Sequence, residues 1–192
     1  MMFKGWYEKK ISDCTKQISE NPNDFEAYLA RGLAYNFLNQ YELAITDCTK
    51  AIEINSEFKD AYNTRGEFYL KLNQYELALK DFNRAIELDS NEEYFYINRG
   101  IAHLKLNLYE LAIEDFSKAI ELDSDCYYSY YNRGLAYMNL KKYIQAIEDL
   151  RKSIELNLNV ALGYYLIGQC YKDLAEEYFE RAKSLGYEEY SQ

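Results

Sequence analysis

The 192-residue chain holds one proline, one histidine and eight glycines, no two of which are adjacent. Each shortage removes a class of chemistry. A single histidine, His103, cannot furnish a histidine-based catalytic triad or a zinc site, and isolated glycines make no phosphate-cradling loop. Basic side chains are the scarcer charge, 22 against 32 acidic, for a formal net charge of -10, which argues against nucleic-acid binding and favours basic or apolar partners. The opening residues, MMFKGWYEKK, lack the apolar core of a signal peptide, and no apolar run approaches the length that spans a bilayer. A soluble, cytoplasmic protein is therefore expected, with no membrane contact. Cys14, Cys48, Cys126 and Cys170 lie at spacings too wide for a metal-ligand pattern and read as core residues. Carboxylates are plentiful but fall into helix-surface pairs: Lys50 with Glu53, Arg84 with Glu87, Lys118 with Glu121 and Lys152 with Glu155. No catalytic, cofactor or metal constellation emerges, so the chain is not expected to be an enzyme.

What the chain has is a beat. Arg31-Gly32, Arg65-Gly66, Arg99-Gly100 and Arg133-Gly134 recur every 34 residues, and a lone Gly168 falls at the next place. Around each glycine the neighbours repeat: Tyr28, Tyr62, Tyr96, Tyr130 and Tyr164 before it, and Leu38, Leu72, Leu106, Leu140 and Leu174 after it. Then come Tyr41, Tyr75, Tyr109 and Tyr143, followed by Ala44, Ala78, Ala112 and Ala146, and by Ala51, Ala85 and Ala119. Spacings of three, four and seven place these residues on single helical faces. The phase breaks near Asn39, Asn73, Asn107 and Lys141, so each repeat is two helices joined by a short turn. Cys14 and Cys48 occupy the place that Phe82 and Phe116 fill, and His103 that of Tyr35, Tyr69, Tyr137 and Tyr171, all core positions.

These positions resemble the tetratricopeptide repeat, a helix pair with an aromatic, a Leu-Gly step, a Tyr, an Ala and aromatic, and a closing Pro. Residues 25 to 160 match at full length. The resemblance implies an all-α, right-handed alpha-alpha solenoid of helix-turn-helix repeats in one domain. Its expected parts are a capping helix at 1–24, full repeats at 25–58, 59–92, 93–126 and 127–160, and a shortened last repeat at 161–192. Two departures stand out. Arg replaces the usual Leu before the glycine, and the closing Pro survives only as Pro22, with Ser56, Ser90, Ser124 and Leu158 elsewhere.

The arginines have a candidate partner in Asp47, Asp81, Asp115 and Asp149, which recur on the second helix. Arg65 can pair with Asp81 of its own repeat or with Asp47 of the preceding one; a phosphate or carboxylate site is the functional alternative. In the last repeat both members change, to Ile167 and Tyr178.

The two ends depart from the pattern. Residues 4 to 20 match a second helix alone, with Lys10 and Gln17 polar where small residues face a first helix, and are expected to form a true N-terminal cap. After Gly168 about five residues of the turn are missing. Ala161, Gly168, Ala175 and Ala182 then fall seven apart, as do Tyr164, Tyr171, Tyr178 and Leu185, which predicts one continuous helix from about 161 to 185. Such a helix cannot fold back on itself. Tyr171, Leu174, Tyr178, Phe179, Ala182 and Leu185 are accordingly expected to pack on a second copy, with a monomer capped by a tight hairpin as the alternative.

In tetratricopeptide proteins the first helices line a concave groove. Carried onto this chain, the resemblance puts Leu33, Leu70, Tyr94, Ile97, Ile101 and Leu104 there, followed by Tyr128, Tyr131, Leu135, Met138 and Tyr165, with Glu67 and Gln169 among the few polar residues. Leu29 and Leu33 replace the Lys and Asn with which family members clamp carboxylate-ended chaperone tails. The implied function is a protein-protein interaction scaffold or adaptor that takes an apolar or amphipathic peptide or helix. The alternative is a structural protein that self-associates through its last helix without a separate peptide ligand, or a groove filled by the tail from Tyr187 to Gln192.

Overall fold

A computed structural model describes residues 4–156 and 161–187. Leu158 and the tail beyond Tyr187 lie outside these residues. Ten helices and no strands are present among them, an all-α helical-repeat fold. Two compact units share the chain, divided after Asn107. The first holds α1 (Lys4–Glu20), α2 (Phe25–Phe37), α3 (Tyr41–Ile54), α4 (Lys59–Lys71), α5 (Tyr75–Leu88) and α6 (Glu93–Lys105). The second holds α7 (Tyr109–Leu122), α8 (Tyr127–Asn139), α9 (Tyr143–Leu156) and α10 (Ala161–Ser184). Within each unit, helices consecutive in sequence pack on one another.

Two kinds of turn shape the chain, and the sequence reading recognised one. Each first helix ends with Asn39, Asn73, Asn107 or Lys141 in the left-handed region, at φ of 58°, 58°, 59° and 57°. Asparagine tolerates that conformation better than most side chains, and Lys141 carries its steric cost. The reversal lets the N–H of Gln40 reach back to Tyr35 O at 3.0 Å, as Gln74 does to Tyr69 O and Lys142 to Tyr137 O at 2.9 Å, satisfying end carbonyls that the helix leaves open. The turn after each of these second helices is closed by a different device, present both beside Pro22 and where the proline is missing. Asn21, Asn55, Asp89 and Asp123 each accept, on a side-chain oxygen, the backbone N–H two residues on, at 3.0 to 3.2 Å, closing the turn after the second helix.

Small residues let the paired helices approach. A Cβ built on Gly66 lies 2.5 Å from Phe82 Cε1, so a side chain on α4 there forces Phe82 to move, and one on Gly134 lies 3.1 Å from Leu150 Cγ, a tight contact on α8 that requires the leucine to give way slightly. Phe82 and Phe116 are completely buried, and so are Cys14 and Cys48 at the corresponding place. Cys48 is smaller than Phe82, and the volume is recovered from the following repeat. Phe68 is buried against Ala44 and Cys48, whereas Ala102 stands at its place beside Phe82. The bulky side chain has moved from one helix to the next while the layer stays filled.

Arg31, Arg65 and Arg133 pair within their own repeats, as the first of the two sequence alternatives has it. Arg65 donates from Nε and Nη2 to both oxygens of Asp81 at 2.7 Å, and Arg31 to Asp47 likewise. Arg133 does the same to Asp149 at 2.7 and 2.8 Å. A third donor, Nη1, crosses to the preceding second helix, to Thr15, Thr49, Asn83 or Ser117. The guanidinium carbons lie 5.5 to 5.8 Å from the rings of Tyr28, Tyr62, Tyr96 and Tyr130, the aromatic that precedes each glycine.

At the start of the chain α1 packs on α2, with Tyr7 stacked on Phe37 at 4.2 Å. Gln17 is exposed and Lys10 half-buried. At the other end α10 runs 24 residues without a break. Gly186, at φ 89°, terminates it with the Tyr187 N–H on Ala182 O at 3.0 Å.

Two stability predictions follow from these contacts. Phe68→Ala is expected to cost about 3–5 kcal/mol in denaturant unfolding. Adding Cys48→Phe restores part of the loss, so the pair is less harmful than the sum of the single changes. With Arg65 and Asp81 only 16% and 4% exposed, Asp81→Ala strands a buried cation and is expected to cost about 3–5 kcal/mol by the same measurement.

Candidate functional site

In the first compact unit the first helices adjoin one another, α4 touching both α2 and α6. The second helices α3 and α5 make no comparable contact, so the first-helix face is the inner side of the curve there. Of the sequence-expected residues on it, Leu33 is exposed at 39%, while Leu70, Tyr94, Ile97, Ile101 and Leu104 are half-buried. Leu70 also packs on the core cluster of Ala78, Phe82 and Ala102, so only part of it is presented outward.

The same face carries a polar knot of which the sequence reading saw only Glu67. Glu67 Oε1 accepts from Asn63 Nδ2 at 2.7 Å and from Asn98 Nδ2 at 3.0 Å, and Asn98 Nδ2 is also 3.0 Å from Asn63 Oδ1. Nearby, the Tyr94 hydroxyl donates to Asp60 at 3.0 Å across α4 and α6. Lys59, at the start of α4, bridges Asp89 and Glu92 at 2.6 and 2.7 Å. Burial raises the Glu67 carboxyl above its ordinary value, outweighing the amides and Lys71, which favour the charged form. Burial and then the Asp60 bond push the Tyr94 phenol up as well. Asn63 stands where Leu29, Ile97 and Tyr131 stand in the other repeats, so periodicity held no signal for it.

In the second compact unit Tyr128 and Tyr165 are exposed at 41% and 62%, and Tyr131, Leu135 and Met138 are half-buried. Tyr131 and Met138 also pack on the cluster formed by Ala146, Ile147, Leu150, Ile167 and Cys170. Burial raises the Tyr131 phenol, with Tyr128 adding to it. Gln169 is half-buried. Asn132, buried, donates to Tyr128 O at 2.8 Å.

The six residues expected to self-associate all lie on α10 or just beyond it. Tyr171, Tyr178, Phe179 and Leu185 are exposed at 47%, 67%, 62% and 74%, whereas Leu174 and Ala182 are half-buried. The Tyr171 hydroxyl accepts from Arg151 Nη2 at 2.8 Å.

The forks described above occupy Arg31, Arg65 and Arg133 with carboxylates of the same fold, which leaves those guanidiniums no role as a phosphate site. Among the described residues no group of three His, Cys, Asp or Glu could hold a metal, and no helix is long and apolar enough to cross a membrane.

A tetratricopeptide repeat family model matches residues 25–58, 60–92, 94–126 and 127–159. Comparison with curated protein sequences finds no match. Solved structures with a similar fold include MamA from Desulfovibrio magneticus RS-1, at TM-score 0.75 and 23% identity, covering 83% of this chain and 90% of that one. YrrB, described as a TPR protein with an unusual peptide-binding site, has TM-score 0.73 and 24% identity, covering 84% of this chain and 83% of its own. The first TPR of Spaghetti (RPAP3), bound to the HSP90 peptide SRMEEVD, has TM-score 0.60 and 23% identity, covering 63% and 96%.

The Glu67 knot carries a pH prediction. A carboxyl whose folded pKa is raised favours its protonated form, so it weighs against the fold above that pKa and ceases to as pH falls below the ordinary 4.5. Glu67→Gln, which keeps the acceptor oxygen, is expected to raise the thermal midpoint at pH 7. The gain shrinks toward zero in melts below pH 4.5.

Proposed function

Because this chain belongs to the tetratricopeptide repeat family, whose members are protein-protein interaction modules, we propose that it is a non-catalytic scaffold binding a peptide or helix on its first-helix face. The observation that carries the proposal is the mixture on that face. In the first compact unit Leu33 is exposed at 39% on the face that carries half-buried Ile97 and Ile101, and in the second Tyr128 is exposed at 41% on the face that carries half-buried Tyr131 and Leu135, more apolar surface than solvent contact alone favours. Tyrosines give large, adaptable contact at low entropic cost.

The ligand class follows from shape and charge. An amphipathic helix or extended apolar peptide matches the aliphatic and aromatic lining. A basic flank matches the Glu67 carboxylate and the net charge of -10. Peptides are the ligands named for two structural neighbours. An acidic tail such as SRMEEVD fits poorly, since Leu29 and Leu33 stand where the clamping Lys and Asn are expected and Arg31, Arg65 and Arg133 are engaged in forks.

The test is comparative capture. Proteins co-purified by the intact chain are identified by mass spectrometry, and those bound directly are mapped on overlapping peptides. Tyr131→Ala with Leu135→Ala is expected to reduce that binding at least tenfold, about 1.4 kcal/mol, with helicity by circular dichroism unchanged. Binding that survives the double change overturns the assignment of the face.

A further inference from the structure

In a complete repeat the glycine of the first helix is covered by the second helix. Phe82 covers Gly66, Leu150 covers Gly134, and Ala44 and Cys48 cover Gly32. Gly168 occupies the same place on α10, and nothing lies within 4 Å of a Cβ built there. α10 is instead held by α9 on another face, through Gly163, Ile167 and Cys170. The last repeat thus has its first helix and an open bed for a second.

The sequence of that missing helix is present, but in the wrong place to fill its own bed. Ala175, Tyr178, Phe179 and Ala182 match Ala44, Asp47, Cys48 and Ala51 of a second helix, and Ala78, Asp81, Phe82 and Ala85 of the next. Phe179 corresponds to Phe82, the residue that covers a glycine. On one straight helix it sits eleven residues from Gly168, about 16 Å along the axis. No bend brings the two together, since α10 is unbroken to Ser184.

We infer that α10 pairs antiparallel with α10 of a second copy of this chain, the later half of each helix covering the Gly168 bed of the other. Paired helices within a repeat run antiparallel, so two such beds are filled reciprocally about one two-fold axis near residues 172 and 173. Gly168 then meets the partner subunit's Ala175 and Phe179. Tyr178 stands where the repeats carry Asp, so the joint is apolar rather than ionic.

Area and charge both select this occupant. Tyr164, Tyr171, Tyr178, Phe179 and Leu185 are 66%, 47%, 67%, 62% and 74% exposed. At about 150–250 Å² for each large side chain, they offer on the order of 600 Å² per copy and about 1,200 Å² for a pair, the threshold of stable, specific interfaces. Asp173, Glu176, Glu177 and Glu180 lie in the later half, whereas the half from Ala161 to Lys172 has no acid. Antiparallel pairing sets each acidic half beside an acid-free one that ends in Lys172. Parallel pairing stacks the acids on themselves.

Sedimentation of the full chain at micromolar concentration is expected to give twice the 22.8 kDa monomer mass. Gly168→Leu has room in a lone subunit but none under a partner helix, and Tyr178→Glu charges the joint. Each is expected to return the mass to 22.8 kDa with the helical signal retained. A disulfide between a Gly168→Cys copy and an Ala175→Cys copy is expected, and none between two Gly168→Cys copies. A monomer at the highest soluble concentration, a dimer that both variants leave intact, or ready Gly168→Cys self-linkage overturns the pairing.

Discussion

The fold depends on a largely covered arginine that satisfies three helices at once. A guanidinium is planar, and its Nε and Nη2 donors face both oxygens of one carboxylate, so the Arg65–Asp81 fork fixes the separation of α4 and α5 and their rotation. Nη1 points the other way, to Thr49 on α3, and the ring of Tyr62 lies beside the cation. A leucine there would fill space without setting orientation. Burying an arginine is costly unless its donors are met, and the repeated placement of Asp, hydroxyl or amide, and tyrosine meets them. Coupling between successive repeats is therefore carried by directed bonds as well as by packing.

Most of this architecture was legible in the sequence because it recurs. The 34-residue period located the helices, the left-handed turns at Asn39, Asn73, Asn107 and Lys141, and the correspondence of arginines with aspartates. It left Arg65 two possible aspartates, since both lie within a side chain's reach in a stacked pair, and only the register of the helices separates them. The third bond was harder to see. Thr15, Thr49, Asn83 and Ser117 recur at one place but differ in chemistry, which hides their shared role as acceptors. Two further features lay beyond periodic reasoning. The exchange of bulk between Cys48 and Phe68 exists only as a pair across two repeats, and the Asn63–Glu67–Asn98 knot occurs once.

The forks also shape what the inner faces can recognise. Three arginines of the Arg-Gly pairs are committed to aspartates, so the cations nearest the helix interfaces are neutralised inside the fold. The first-helix face of the first compact unit carries two carboxylates, Glu67, held by two amides through one oxygen, and Asp60, held by Tyr94, with Lys71 near the first of them. In the function proposed above, hydrophobic surface provides the area for binding there, and a desolvated carboxylate provides the choice of sign. In the proposed binding an acidic ligand meets repulsion from Glu67, whereas a basic one supplies a charge that offsets the desolvation raising the Glu67 pKa.

The final helix shows what the repeat requires by leaving a requirement unmet. Glycine in a helix interior costs about 0.5–1 kcal/mol relative to alanine. At Gly66 and Gly134 the close approach of Phe82 and Leu150 accounts for that cost. Gly168 incurs the same cost with no atom near enough to require it, while the side chains one turn to either side, Tyr164 and Tyr171, stand open to solvent. Ile167 and Tyr178 have abandoned the ion pair together, and Tyr178, unlike an aspartate, gains from being covered. A glycine with nothing above it, an aromatic in place of an acid, and a second-helix pattern displaced along the same rod have one common physical cause if the covering helix comes from elsewhere. The acid-free half of α10 presents the surface, and the acidic half carries the pattern that fits it.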